Sequence, residues 1–155
     1  MQVFKSSFKF KLFLISKLPL AWVAGLKIDE VNQTQAVVAV RYSYWTKNPF
    51  KSMYFAVQAM AAELASGALV LSHVSESGKN ISMLVLKMRA DFTKKALGRI
   101  RFICMDGESI RLAIQTAIAT GEGQTIEATS IGYNENNEQV ATFVITWTLK
   151  NKSMR

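Results

Sequence analysis

The sequence predicts an α+β fold in which a curved antiparallel sheet of five or six strands wraps one long helix. Three observations predict it. Residues 50–72 are rich in Ala, Met and Leu and apolar around nearly the whole helical circumference, so that helix must be buried on most sides. Stretches before and after it are β-branched and alternate with period two. The strands also follow one another without the strand–helix–strand repetition of a doubly wound nucleotide fold. With 155 residues, half of them apolar and 19% charged, the chain has the size of a single domain, 1–155, and enough apolar surface to build a core.

The elements follow in order. Phe4, Phe8, Leu12 and Ile15 fall on one face of an N-terminal helical segment within residues 1–25, and Pro19 is expected to end it. That face is expected to pack on the rest of the domain. Lys9, Lys11, Lys17 and Pro19 interrupt any signal-peptide core, and no uncharged run reaches the ~20 residues a bilayer span needs. A cytoplasmic protein without stable membrane insertion is therefore expected. Gln35 to Trp45 reads as a half-buried strand, broken by Thr46-Lys47-Asn48-Pro49. After the long helix, Ser77-Gly78 centres a turn. Ile81–Arg89 and Leu97–Met105 read as strands joined by the polar turn 91–95. Asp106-Gly107-Glu108 opens a shorter helix over 109–120, which Gly121 ends. Thr125–Tyr133 and Gln139–Leu149 then form a hairpin across residues 134–137.

Composition excludes several functions. Cys104 is the single cysteine, so no internal disulfide forms, and with His73 the single histidine there is no Cys/His cluster for zinc. Cys104 lies among Phe102, Ile103 and Met105 and reads as an inert core thiol. His73 reads as a capping or surface residue past the helix core. No phosphate-cradling glycine loop, dinucleotide fingerprint or calcium loop is present, and no metal site is expected.

One residue breaks the apolar helix. Between Ser52 and His73 the only carboxylate is Glu63, flanked by Met60, Ala61, Ala62, Leu64 and Ala65. A lone carboxylate there is costly unless it is paired, hydrogen-bonded or open to a cavity. It is either a functional acid, or a residue on a narrow solvent stripe, or the partner of Arg99 or Arg101. Gln58, the only neutral amide of the helix, stands one turn after Tyr54 and either orients the tyrosine, lines a pocket or makes a subunit contact.

The segment from Asn48 through Tyr54 and Glu63 to Gly67 resembles the signature of the hot-dog fold acyl-CoA thioesterases. In the phenylacetate-pathway branch an Asn precedes a His-Gly-Gly by six positions, and an acidic residue follows the His by nine. Asn48 stands six before Tyr54, and Glu63 nine after it. The resemblance implies a fatty or aryl acyl-CoA substrate, with no cofactor beyond the coenzyme A of the substrate itself. It assigns catalytic places to Glu63, as base or nucleophile, to Asn48, shaping the loop, and to Tyr54. The backbone amides near Phe55 and Ala56 would polarise the thioester oxygen, with Gln58 beside them. It also implies homodimers or dimers of dimers with the site between subunits. The sequence departs from that branch in replacing His-Gly-Gly by Tyr54-Phe55-Ala56, which puts side chains where backbone would approach a substrate. The rival reading is a non-catalytic acyl-CoA or lipid-binding dimer.

The formal charge is +8, and seven basic residues against Asp91 alone lie between Lys79 and Arg101. Lys87 and Arg89 alternate on one strand, Arg99 and Arg101 on another. If the two strands pair through the 91–95 turn, the four form a basic band suited to the phosphates of coenzyme A. No nucleic-acid motif accompanies them, and no nucleic-acid partner is expected.

Overall fold

The computed structural model describes residues 12 and 14–152, so the expected places of Phe4 and Phe8 lie outside the described residues. A helical turn over residues 14–17 leads to α1 (Pro19–Val23), in which proline occupies the first position. Its missing N–H costs nothing there, so Pro19 starts a second helical piece where the sequence reading had it only as a stop. Leu14, Ala21 and Leu26 are buried, whereas Leu12 and Ile15 are exposed. Residues 12–15 are all apolar, so their spacing does not single out one face, and docking selects Leu14.

The strands are β1 (Lys27–Val31) and β2 (Ala36–Arg41), then β3 (Ile81–Phe92) and β4 (Arg99–Cys104), then β5 (Gln124–Tyr133) and β6 (Gln139–Asn151). The sequence reading missed β1 because Lys-Ile-Asp-Glu-Val lacks the alternation of a half-buried strand; it is an edge strand. β2 is shorter than expected and buried on both faces from Ala36 to Val40. It stops because Thr46 Oγ1 accepts the Ser43 N–H at 2.8 Å and donates to the Arg41 carbonyl at 2.9 Å, turning the chain. Tyr44 and Trp45 consequently leave the sheet and are about three-quarters exposed.

The long helix, α2, spans Phe55–Ser77. It begins five residues after the expected Phe50, because residues 48–53 are held in a loop, and it ends at Gly78 in the left-handed conformation. Among the described residues it is the one helix long and apolar enough to cross a membrane. Here the sheet takes its apolar faces, as the sequence predicts for a helix with no polar side. Two buried hydroxyls fasten it: Ser130 Oγ donates to the Ala62 carbonyl at 2.8 Å, and Ser66 Oγ accepts Trp147 Nε1–H at 3.0 Å. His73 is inside this helix and buried, its Nε2 3.0 Å from the Gln33 carbonyl oxygen. It is neither a cap nor a surface residue, since the helix continues past it to the β1–β2 turn.

All strands pair antiparallel in the order β1-β2-β4-β5-β6-β3. The expected β3–β4 pairing does not occur. The connection instead crosses the start of α2, where Ala96 N–H reaches Ser52 Oγ at 3.1 Å and the Ala96 carbonyl accepts the Met53 N–H at 3.0 Å. Arg99 and Arg101 therefore sit three strand spacings, about 14 Å, from the strand of Lys87 and Arg89, and the basic band is divided. Three of its four members are also engaged: Arg99 with Asp29 at 2.6 Å, Arg101 with Asn137 Oδ1 at 2.7 Å and Arg89 with Glu127 at 3.5 Å.

Helix α3 (Gly107–Thr120) lies beside α2 and ends at Gly121 as expected. At its first residue a Cβ would stand 2.2 Å from the Gln33 carbonyl oxygen and 2.8 Å from Thr34 backbone atoms. Both are backbone of the β1–β2 turn, which leaves nothing flexible to yield. Gly107→Ala is therefore expected to lower stability by about 2–3 kcal/mol, at the upper end of overpacking costs, as read by denaturant unfolding.

Candidate active site

The loop before α2 is organised around two groups, the Asn48 side chain and the Met53 carbonyl. Asn48 Oδ1 accepts the N–H of Phe50 at 2.9 Å and of Ser52 at 3.2 Å, while Asn48 Nδ2 donates to the Met53 carbonyl at 3.3 Å. The same carbonyl accepts Gln58 Nε2–H at 3.3 Å. Asn48 thus shapes the loop, as the resemblance implies, and has its polar atoms committed to it. Gln58 reaches back to Met53 and does not orient Tyr54. Backbone bonds complete the clamp, Tyr54 N–H donating to the Thr46 carbonyl at 2.7 Å.

This clamp presents the start of α2. Tyr54 is the N-cap residue, extended and without a side-chain cap. The first bond into the helix is donated by Val57 to the Tyr54 carbonyl, at 3.0 Å. The amides of Phe55 and Ala56 therefore have no intrahelical acceptor and carry the positive end of the helix dipole. The Tyr54 and Phe55 rings, both substantially exposed, meet edge to face at 4.8 Å between centroids. Asn48, Tyr54, Phe55 and Gln58 all line one cleft of about 550 Å³, with Phe50, Met53, Phe92, Lys94 and Lys95. The sequence reading missed Phe50 and Phe92 as site residues. They come together only because the β3–β4 connection crosses this corner; the Lys94-Lys95 pair was the one visible signal.

Glu63 does not line that cleft. It lies eight residues further along α2, about 12 Å down the helix axis. It is half-buried, and neither Arg99 nor Arg101 pairs with it among the described residues. Burial pushes its carboxyl pKa up. Gly67 makes room for it: a Cβ there would approach Glu63 Oε1 to 3.3 Å and the Trp147 ring to 3.4 Å. The ion-pair reading of Glu63 therefore falls away, leaving an unpaired carboxylate in an apolar setting. Cys104 is buried, and burial pushes its thiol pKa up to about 11, as for an inert thiol.

A family model described as a domain of unknown function, DUF4442, matches residues 7–149. The chain belongs to that family. A comparison with curated protein sequences finds no match. Among solved structures, this DUF4442 chain is similar to a Pseudomonas aeruginosa protein of unknown function called a probable thioesterase. They share 22% identity with a TM-score of 0.78, over 93% of this chain and 95% of that one. A protein of unknown function from Chlorobaculum tepidum matches at 19% identity and TM-score 0.79, over 93% of each chain. A thioesterase from Haemophilus influenzae matches at 11% and 0.68, over 97% of this chain and 94% of that one. At such identities the likeness is one of fold, and the fold is the hot-dog architecture that the sequence predicts.

The raised pKa of Glu63 makes a stability prediction. As pH rises, the unfolded glutamate loses its proton first, so between the unfolded and folded pKa values the folded protein holds the extra proton and the fold weakens. Glu63→Gln removes that loss. The variant is expected to melt above the parent at about pH 8, and to lose this advantage at about pH 3, below the ordinary glutamate range; thermal unfolding at both values measures it.

Proposed function

We propose that this protein hydrolyses the thioester of a fatty or aryl acyl-CoA, with Glu63 as the base that activates water or as the attacking carboxylate. The observation that carries the reading is Glu63 itself, a carboxylate with no ion-pair partner among the described residues and a pKa raised by burial, in a helix whose opening amides have no backbone acceptor among those residues. A carboxylate so tuned suits general-base work near neutral pH, and the amides of Phe55 and Ala56 suit the developing oxyanion. The hot-dog fold shared with named thioesterases and the Asn48–Tyr54–Glu63 spacing of the phenylacetate-pathway branch support it.

The 12 Å between helix start and Glu63 exceeds the reach of one side chain, so the two act on one carbonyl only across a pair of subunits. In this reading a second copy covers the exposed edge strand β3, where Leu84, Leu86 and Phe92 are half or more exposed, and brings its own Glu63 to the first copy's helix start. The chemistry then runs in balance. The base takes a proton from water, the hydroxide adds to the carbonyl carbon, and the oxyanion rests on the helix amides. The C–S bond breaks, the protonated Glu63 gives its proton to the leaving sulfur, and the free thiol and the acid are released.

A second reading, a binding protein without turnover, is favoured by Tyr54 and Phe55, whose rings occupy the helix start where the resembled branch has glycine. Free-thiol release separates the two. Glu63→Gln is expected to lower kcat about 10²–10⁴-fold, and kcat/KM of the parent to rise with pH through a midpoint above the ordinary glutamate value. Phe55→Pro removes one helix amide at a position that tolerates proline and should also be inactive. Mixing the two variants is expected to restore about one quarter of parent activity, because half of randomly mixed dimers carry one intact site of two. Saturable binding of acyl-CoA with no release from any substrate establishes the binding protein instead.

A further inference from the structure

Docking of the N-terminal segment leaves much of its apolar surface outside. Among the described residues of 12–23 the buried side chains are Leu14 and Ala21, while Leu12, Ile15, Leu18, Leu20, Trp22 and Val23 are between 38% and 67% exposed. Val23 and Trp45 line one hollow at the end of β2, with Lys27, Arg41 and Arg99. Trp45 meets Tyr44 edge to face at 5.7 Å between centroids, and Lys47 Nζ stands 4.1 Å from the centre of the Tyr44 ring. Two separate segments thus contribute to one exposed apolar and aromatic patch, the kind of surface that marks an interaction site. It lies by β1 and β2, at the sheet edge opposite β3, so it stays free when a second copy covers β3.

The charge around the patch is almost all of one sign. Residues 1–62 hold eight Lys and Arg against Asp29 and Glu30 alone, which is +6 of the chain's +8. Asp29 is held by Arg99 at 2.6 Å, and Glu30 accepts a bond from Asn32 Nδ2 at 2.6 Å. Arg41 pairs with Glu135 at 3.7 Å. Among the described residues no acid forms an ion pair with Lys17, Lys27 or Lys47, and all three are exposed.

We propose that this patch docks the protein on the surface of an anionic lipid bilayer, with Trp22, Tyr44 and Trp45 at headgroup depth and Lys17, Lys27 and Lys47 toward the phosphates. Trp and Tyr favour that depth because an apolar ring with a polar tip suits both phases. Lysine stems cover apolar surface while their ammonium groups reach the headgroups. A protein partner fits less well, since lysine is depleted in protein interfaces, whereas lysines around Trp and Leu are the composition of a segment lying in a membrane surface. Docking of this kind needs no spanning segment and is independent of the proposed hydrolysis.

Flotation of the full chain is measured with vesicles of phosphatidylcholine alone and of equal parts phosphatidylcholine and phosphatidylglycerol. The protein is expected to float with the anionic vesicles and to be released by salt. Of its three tryptophans, Trp22 and Trp45 are exposed and Trp147 is buried. Binding is therefore expected to shift the emission to the blue, and brominated acyl chains to quench it. Trp22→Ser with Trp45→Ser is expected to weaken binding by about tenfold or more, and Lys17→Glu with Lys47→Glu to do so on the anionic vesicles only. All four side chains are exposed, so thermal unfolding should match the parent; if a variant unfolds, quenching of the parent decides alone. No flotation with anionic vesicles, flotation that neither variant weakens, or emission that brominated lipid leaves unquenched overturns the proposal. An oligomer that the tryptophan variant dissociates, without flotation, gives the patch to a second copy of this chain and overturns it too.

Discussion

A helix of 23 residues with no polar face organises this protein. Propensity alone does not keep such a helix folded in water, and α2 has to be enclosed. The antiparallel sheet and α3 do this, with β2, β4, β5 and β6 all packing on α2. Its small residues, Ala61, Ala62, Ala65, Gly67 and Ala68, let the sheet come close on several sides at once. Within that apolar contact the hydroxyls of Ser66 and Ser130 add directional bonds to Trp147 and the Ala62 carbonyl. Each contributes about 1 kcal/mol net, small beside the burial, but together they set the rotation of the helix within the sheet.

The chemistry of the molecule follows from that enclosure. Once α2 is wrapped, its unsatisfied groups are confined to its ends and to whatever interrupts its apolar surface. Its start is held by the Met53 carbonyl, gripped from two sides by Asn48 and Gln58, and by the β3–β4 connection through Ala96. This clamp holds the first turn of the helix beside the cleft and keeps it from fraying. The interruption is Glu63, accommodated because Gly67 one turn on leaves room between it and Trp147. Both features are consequences of encasing one helix, yet they lie too far apart to meet within a single chain. The exposed apolar β3 edge is the element through which two chains could bring them together.

The Tyr54-Phe55 pair bears on this balance. Side chains at the helix start narrow the approach to its amides, and they also give the cleft an aromatic wall that glycines would not. Under the proposed hydrolysis, these rings set rate against ligand selection at one corner of the molecule.

Much of the fold was legible because its main signals are local. The absence of any polar face on residues 50–72 demanded a wrapped helix, the hairpin of β5 and β6 followed from alternation around a four-residue turn, and Glu63 stood out by being the one charge in an apolar run. Other features depended on the company a segment keeps. The polar turn after β3 looked like a hairpin, but Ser52 and Met53 capture Ala96 and lead the chain across the end of α2, so β3 becomes an edge and the basic residues part. His73 looked peripheral until the helix proved longer than its apolar stretch. Leu14, not Leu12 or Ile15, is buried because four consecutive apolar residues offer no period to read. Gln58 was visible as a polar residue, but its bond to the Met53 carbonyl was not, because that depends on how the loop before α2 is held. The sequence by itself determined every element but the polar edge strand β1, and the half-buried charge among them, since periodicity and composition act over a few neighbouring residues. Tertiary structure alone decided which strands meet, which polar atoms are satisfied and which cleft they line, because those depend on contacts between segments tens of residues apart.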